Sequence, residues 1–110
     1  MLIHNAYFWF RKDLSVDERA TFEAELRLLA KSSFIENAYT GSTAPTPERE
    51  VTDHSFDFAT SFHFKDLSDH EAYQKDCPSH MRFISTCKSY FEKVIVYDLE
   101  PLKKDSSKGH

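Results

Sequence analysis

Along this chain, stretches with apolar residues at every second position give way to stretches where they recur every third or fourth. From Ile3 to Phe10 aromatic and aliphatic residues crowd together without a turn former, which predicts a first strand. His4, Ala6, Phe8 and Phe10 share one face of that strand, which sets a polar ring on an apolar surface. Asp13 and Leu14 turn the chain. Ser15 then precedes Glu18 by the spacing of a capping box, and Phe22, Leu26 and Leu29 follow at helical intervals with charges on the other side. This predicts a helix running to about Lys31. Phe34 to Gly41 reads as a second strand closed by its glycine, and Ser42 to Ser55 as a polar loop of prolines, threonines and mixed charges. Phe56, Phe58, Phe62 and Phe64 alternate with Asp57, Ala59, Ser61 and His63, the clearest period-two pattern in the chain and the mark of a third strand.

Leu67 to Lys75 predicts a short helix. Pro78 breaks it and, at a first helical position, starts another from about Ser79 to Phe91. The β-branched run Val94 to Leu99 is the fourth strand, and Pro101 to His110 is a polar tail. The order βαββαβ, with short right-handed connections, predicts an α+β domain of ferredoxin-like type: a four-stranded antiparallel sheet with helices on one face. The first and last strands are apolar on both faces, so the open face of the sheet also needs cover. A homodimer formed through that face is the expected solution.

Composition adds limits. A chain of 110 residues makes one domain, placed at residues 1–101 with a tail at 102–110. Aromatics reach 15%, with ten Phe and one Trp, heavy for so small a protein, which points to a dimer interface or a ligand cavity for part of them, or else to a Phe-rich core. A net charge of −4 gives no general attraction to nucleic acid or anionic membrane. The apolar N-terminal stretch is too short to span a membrane and lacks a basic leader. With two cysteines and no disulfide framework, Cys77 and Cys87, the expected location is the cytoplasm.

Candidate chemistry concentrates between Ala72 and His80. His80 falls in the first turn of a helix, where the dipole disfavours added positive charge, so a neutral imidazole able to act as a general base is expected. Tyr73 offers a hydrogen-bond donor to a ligand oxygen, or else an aromatic anchor between helix and sheet. His4 either is satisfied in the core or faces a cavity. His70, Asp76, Cys77 and His80 invite a metal reading, but Cys77 and His80 form half a zinc pair with no second half at usable spacing, so no metal is assigned. Cys77 as a nucleophile with His80 as its base has no third orienting group. No residue is marked as a haem ligand. With only Gly41 and Gly109, no phosphate-cradling loop exists and nucleotide chemistry is not expected.

Several features resemble one known family. They are His4 ahead of Phe10 in the first strand, Gly41 after the second, and the third-strand phenylalanines followed by Ala72 and Tyr73. Pro78 with His80, and the ending F-E-K-V-I-V-Y-D from Phe91 to Asp98, complete the set and are its most specific parts. The chain from Ile3 to Pro101 resembles the stress-responsive A/B barrel domains, a dimeric α+β barrel family that includes a plant olivetolic acid cyclase. The resemblance implies Tyr73 and His80 as catalytic residues and His4 in the pocket, with no cofactor. The chain departs from the cyclase in one extra residue between Tyr73 and His80, and in Leu26 where the cyclase has a tyrosine. Together with the phenylalanines this gives a ligand-binding set of His4, Phe8, Leu26 and Phe58. The expected function is binding of a small apolar or aromatic molecule, or, as the alternative, cyclase or lyase chemistry without a cofactor.

Overall fold

The computed structural model describes residues 1–103. The elements are β1 (Leu2–Phe10), α1 (Val16–Leu29), β2 (Asn37–Ser42), β3 (Phe58–Phe64), α2 (Leu67–Asp76), α3 (Pro78–Cys87), a 3₁₀ turn (Lys88–Tyr90) and β4 (Phe91–Leu99). The strands form one antiparallel sheet in the order β2-β3-β1-β4, and the helices cover one face. This is the ferredoxin-like α+β fold that the element order implies. The polar tail expected at 102–110 is irregular at residues 102 and 103, and the rest of it lies outside the described residues.

Local chemistry explains most of the boundaries. β1 alternates strictly, with Leu2, His4, Ala6, Phe8 and Phe10 buried under the helices and the residues between them half-buried. Ser15 Oγ accepts the Glu18 N–H at 3.0 Å, and Glu18 Oε1 accepts the Ser15 N–H at 3.0 Å, which closes the predicted capping box at the start of α1. Phe22, Glu25, Leu26 and Leu29 form its buried face. Glu25 Oε1 accepts from Arg82 Nε at 2.9 Å, tying α1 to α3. Pro78 takes the first position of α3, with extended backbone at Cys77 before it.

Four boundaries differ from expectation. The chain after α1 makes consecutive turns, Ser32 N–H to Leu29 O and Ile35 N–H to Ser32 O, so Phe34 and Ile35 pack on the core from a turn and β2 begins only at Asn37. Gly41 lies inside β2, one residue before its end, with open space where a Cβ would point. Phe56 precedes β3 and packs instead on the open face, its ring 5.2 Å from that of Tyr7. β4 begins at Phe91, not Val94, because Phe91 pairs with Phe10 and the Arg11 N–H donates to Tyr90 O at 2.9 Å. The ladder with β1 thus claims residues that helical periodicity alone would leave in α3.

Candidate active site

The space between sheet and helices is not uniformly filled. Ala6 pairs with Thr60 on β3 and with Val96 on β4, so a row of short side chains crosses the sheet at its middle. Above that row lies a cavity of about 220 Å³, walled by Leu26 and Leu29 of α1, Tyr73 and Gln74 of α2, and His80, Phe83 and Ile84 of α3. Val94 and Val96, on the edge strand β4, complete its outer side and remain 44% and 45% exposed, so the cavity communicates with solvent there.

Five of the six residues singled out in the sequence, His4, Phe8, Leu26, Tyr73 and His80, line this cavity. Phe58 does not. It shares the inner face of β3 with Thr60 and Phe62, but it sits opposite Phe8 at the far end of the pairing, where its ring packs edge-on against Phe22 at 5.3 Å. It borders a separate recess beside Thr40 and Glu23.

Tyr73 and His80 come together despite the extra residue between them. Their ring centroids lie 4.3 Å apart at 40°. The break at Cys77-Pro78 lets α2 and α3 turn both rings inward from neighbouring helical ends. Burial lowers the pKa of His80 below its usual value, and the nearby His4 and His70 lower it further. The imidazole is therefore neutral near pH 7, as the helix-start position suggests, although burial is the larger cause. Burial also pushes the Tyr73 phenol well above its ordinary range, with Cys77 adding to the effect, so Tyr73 keeps its proton and can only donate or accept a hydrogen bond. Its hydroxyl has no hydrogen-bond partner among the described residues.

His4 is 8% exposed and does face the cavity. Its Nδ1 lies 2.5 Å from Asp98 Oδ1, across the β1–β4 register that sets His4 opposite Asp98. A carboxylate on Nδ1 fixes the tautomer and ring orientation. His70 stands beside this pair, with its ring 5.0 Å from that of His4 and its pKa lowered chiefly by burial. Sequence reading missed Asp98 as a site residue. The sequence sets His70 only beside Asp76, Cys77 and His80, because His4 and Asp98 are 94 residues apart and meet only through the sheet.

Cys77 stays apart from this group. Its Sγ lies 3.2 Å from Ser32 Oγ and 3.3 Å from Ser79 Oγ. Burial raises its pKa, but the hydroxyls of Ser32 and Ser79 and the backbone N–H groups of His80 and Ser79 outweigh it, leaving the thiol lowered overall. Burial, with the charge of Glu25, raises Cys87 to about 11.

The model of the stress-responsive A/B barrel domain matches residues 2–101. The chain belongs to that family. Solved structures agree on the fold at low identity. A protein from Arabidopsis thaliana superposes with a TM-score of 0.74 at 15% identity, covering 96% of this chain and 99% of that one. A hydroxynitrile lyase from Passiflora edulis gives 0.72 at 17% identity, covering 94% and 95%. A dimeric ferredoxin-like protein of unknown function from Thermobifida fusca gives 0.71 at 17% identity, covering 89% and 88%. No curated protein matches the sequence. Among the described residues, no helix of this A/B barrel domain is long and apolar enough to cross a membrane.

Proposed function

We propose that this A/B barrel domain is a homodimeric binder of a small apolar or aromatic molecule, held in the cavity above Ala6. The observation that carries this reading is the cavity itself: mostly apolar walls with a few convergent polar groups, Tyr73, His80, His4, Thr60 and Gln74. At about 220 Å³ it is smaller than the roughly 300–1,000 Å³ of sites for drug-sized ligands, which favours a small guest. Dimerisation is supported by the uncovered sheet face, where Tyr7, Trp9, Ile95 and the 63% exposed Tyr97 stand together. The structural neighbour from Thermobifida fusca is described as dimeric. Light scattering tests the assembly: the wild type should run as a dimer, Tyr97→Asp should shift it toward monomer, and a monomeric wild type would end the dimer reading. A thermal-shift screen with small aromatic and cyclic ketone probes tests the cavity, and the binding it finds should be lost in Ala6→Leu.

A second reading, cofactor-independent lyase or cyclase chemistry, is favoured by the contact between Tyr73 and His80. One fold neighbour is a hydroxynitrile lyase. In this reading His80 takes a proton from a carbon beside a carbonyl. The C–H electron pair becomes part of the enolate C=C bond, and the carbonyl oxygen takes up the negative charge. Tyr73 donates its O–H to that oxygen, and the apolar walls strengthen the bond by excluding water. General acid–base assistance of this kind contributes about 10²–10⁴-fold in rate. Where turnover of a probe is found, His80→Ala should therefore remove most of it, and Tyr73→Phe should cost less. Full activity in His80→Ala would rule the mechanism out while leaving the binding reading intact.

A further inference from the structure

We propose that His4, His70 and Asp98 form a binding site for a divalent transition-metal ion of the zinc type, at the edge of the cavity. One donor atom from each of the three residues lies within 4.8 Å of the other two. They come from three separate elements, β1, α2 and β4, so the cluster is a product of the fold and not of neighbouring sequence. His4 is buried, His70 half-buried and Asp98 exposed. The site is thus anchored on one rigid ligand and open to solvent on the carboxylate side, where an ion can arrive.

The donor set selects the ion. Two imidazoles and one carboxylate suit zinc, cobalt, nickel or ferrous iron, whereas magnesium and calcium take oxygen ligands. The geometry requires a modest closure. The 2.5 Å between His4 Nδ1 and Asp98 Oδ1 is shorter than the roughly 3–3.5 Å that separates two ligands of one tetrahedral ion bound at about 2 Å each. The wider span to His70 must contract. Asp98 is exposed and has a second carboxylate oxygen, so it can swing to admit the ion. Three protein ligands leave at least one position for water or for an oxygen of a bound molecule. Because His4 also lines the cavity, that position lies within reach of whatever the cavity holds.

The competing arrangement is one in which Asp98 only orients His4. The two differ in His70, which an orienting pair does not need. The test uses the full chain, stripped with a chelator and titrated with zinc in a calorimeter and with cobalt in a visible spectrometer. We expect one ion per chain, cobalt absorption bands of a low-symmetry nitrogen–oxygen site, and a zinc-dependent rise in melting temperature. His70→Ala and Asp98→Asn should each weaken binding by more than roughly 10²-fold, since losing an outer-shell partner alone costs roughly 10–100-fold. His63→Ala, on the open face of the sheet, should leave it unchanged. Far-ultraviolet circular dichroism establishes that each variant is folded. Absence of saturable binding, or binding that His70→Ala leaves intact, overturns the proposal. The readout is binding and not turnover, so either outcome is independent of the Tyr73–His80 reading.

Discussion

The layer between the sheet and the helices has two ends built on opposite principles. At one end Phe22 is packed among other rings. Phe10, Phe58 and Phe8 lie edge-on to it at centroid distances of 4.8, 5.3 and 5.6 Å, and none of its own surface is exposed. At the other end His4, His70, Tyr73 and His80 crowd together as polar rings with open space beside them. Both ends stand on the same face of β1, six residues apart from His4 to Phe10. The difference teaches that filling volume and leaving it can be assigned residue by residue along one strand. Large rings at Phe8 and Phe10 close one end, and the small Ala6 opens the other. The closed end is packed with rings and the open end leaves a cavity.

That division can be broken most severely at Phe22. Truncation of a fully buried phenylalanine costs about 3–5 kcal/mol, and Phe22→Ala should lower the urea midpoint accordingly, with the cavity lost as a consequence. A variant that kept wild-type stability would show that the rings at this end are not the main support. Ala6→Leu probes the open end. Inserting methylenes into a packed core costs about 1–3 kcal/mol, but here the side chain enters existing space, so stability should change by less than that range while probe binding disappears. A full overpacking penalty would mean that the cavity closes in solution.

The smallest expected effect is in pH dependence. His70 and His80 both have folded pKa values below the usual 6.5, mainly through burial. The unfolded chain therefore binds more protons than the folded one as pH falls below about 6.5, and stability declines there. It is fully present above that pH and is lost as pH drops through the folded values. Denaturation midpoints measured between pH 7.5 and 5 should show this decline, and the double variant His70→Gln, His80→Gln should flatten it. An unchanged slope would assign the acid sensitivity to other groups.

The phenylalanine end was legible in the sequence because its signals are local. The period-two runs of β1 and β3, the Ser15–Glu18 box and the spacing of Phe22, Leu26 and Leu29 each state one element's face. Pro78 marked the break between the helices that carry Tyr73 and His80, while their pairing came from the family resemblance, with the extra residue leaving their meeting open. What escaped depends on register. Asp98 reads as the polar end of a strand until β4 is laid against β1, and Phe58 reads as a pocket residue until the β3 register sets it beside Phe22. A search for metal ligands by sequence spacing stops at Cys77 and His80. In the fold Cys77 turns to Ser32 and Ser79, and His70 finds its companions on two strands instead.

The pairing of β1 with β4 also bears on how the protein is made. β1 is central in the sheet, yet one of its neighbours, β4, leaves the ribosome long after it. Until β4 arrives, β1 presents a long unpaired edge dense in aromatic residues, the kind of surface through which nascent chains associate wrongly. Contacts across 94 residues are also slow to form, because loop closure must precede any gain from them. Tyr73 and His80 can meet before that event, but the His4–Asp98 contact and the outer cavity wall cannot. The histidine cluster is therefore complete only once β4 has docked on β1, and zinc affinity followed during refolding would report that docking.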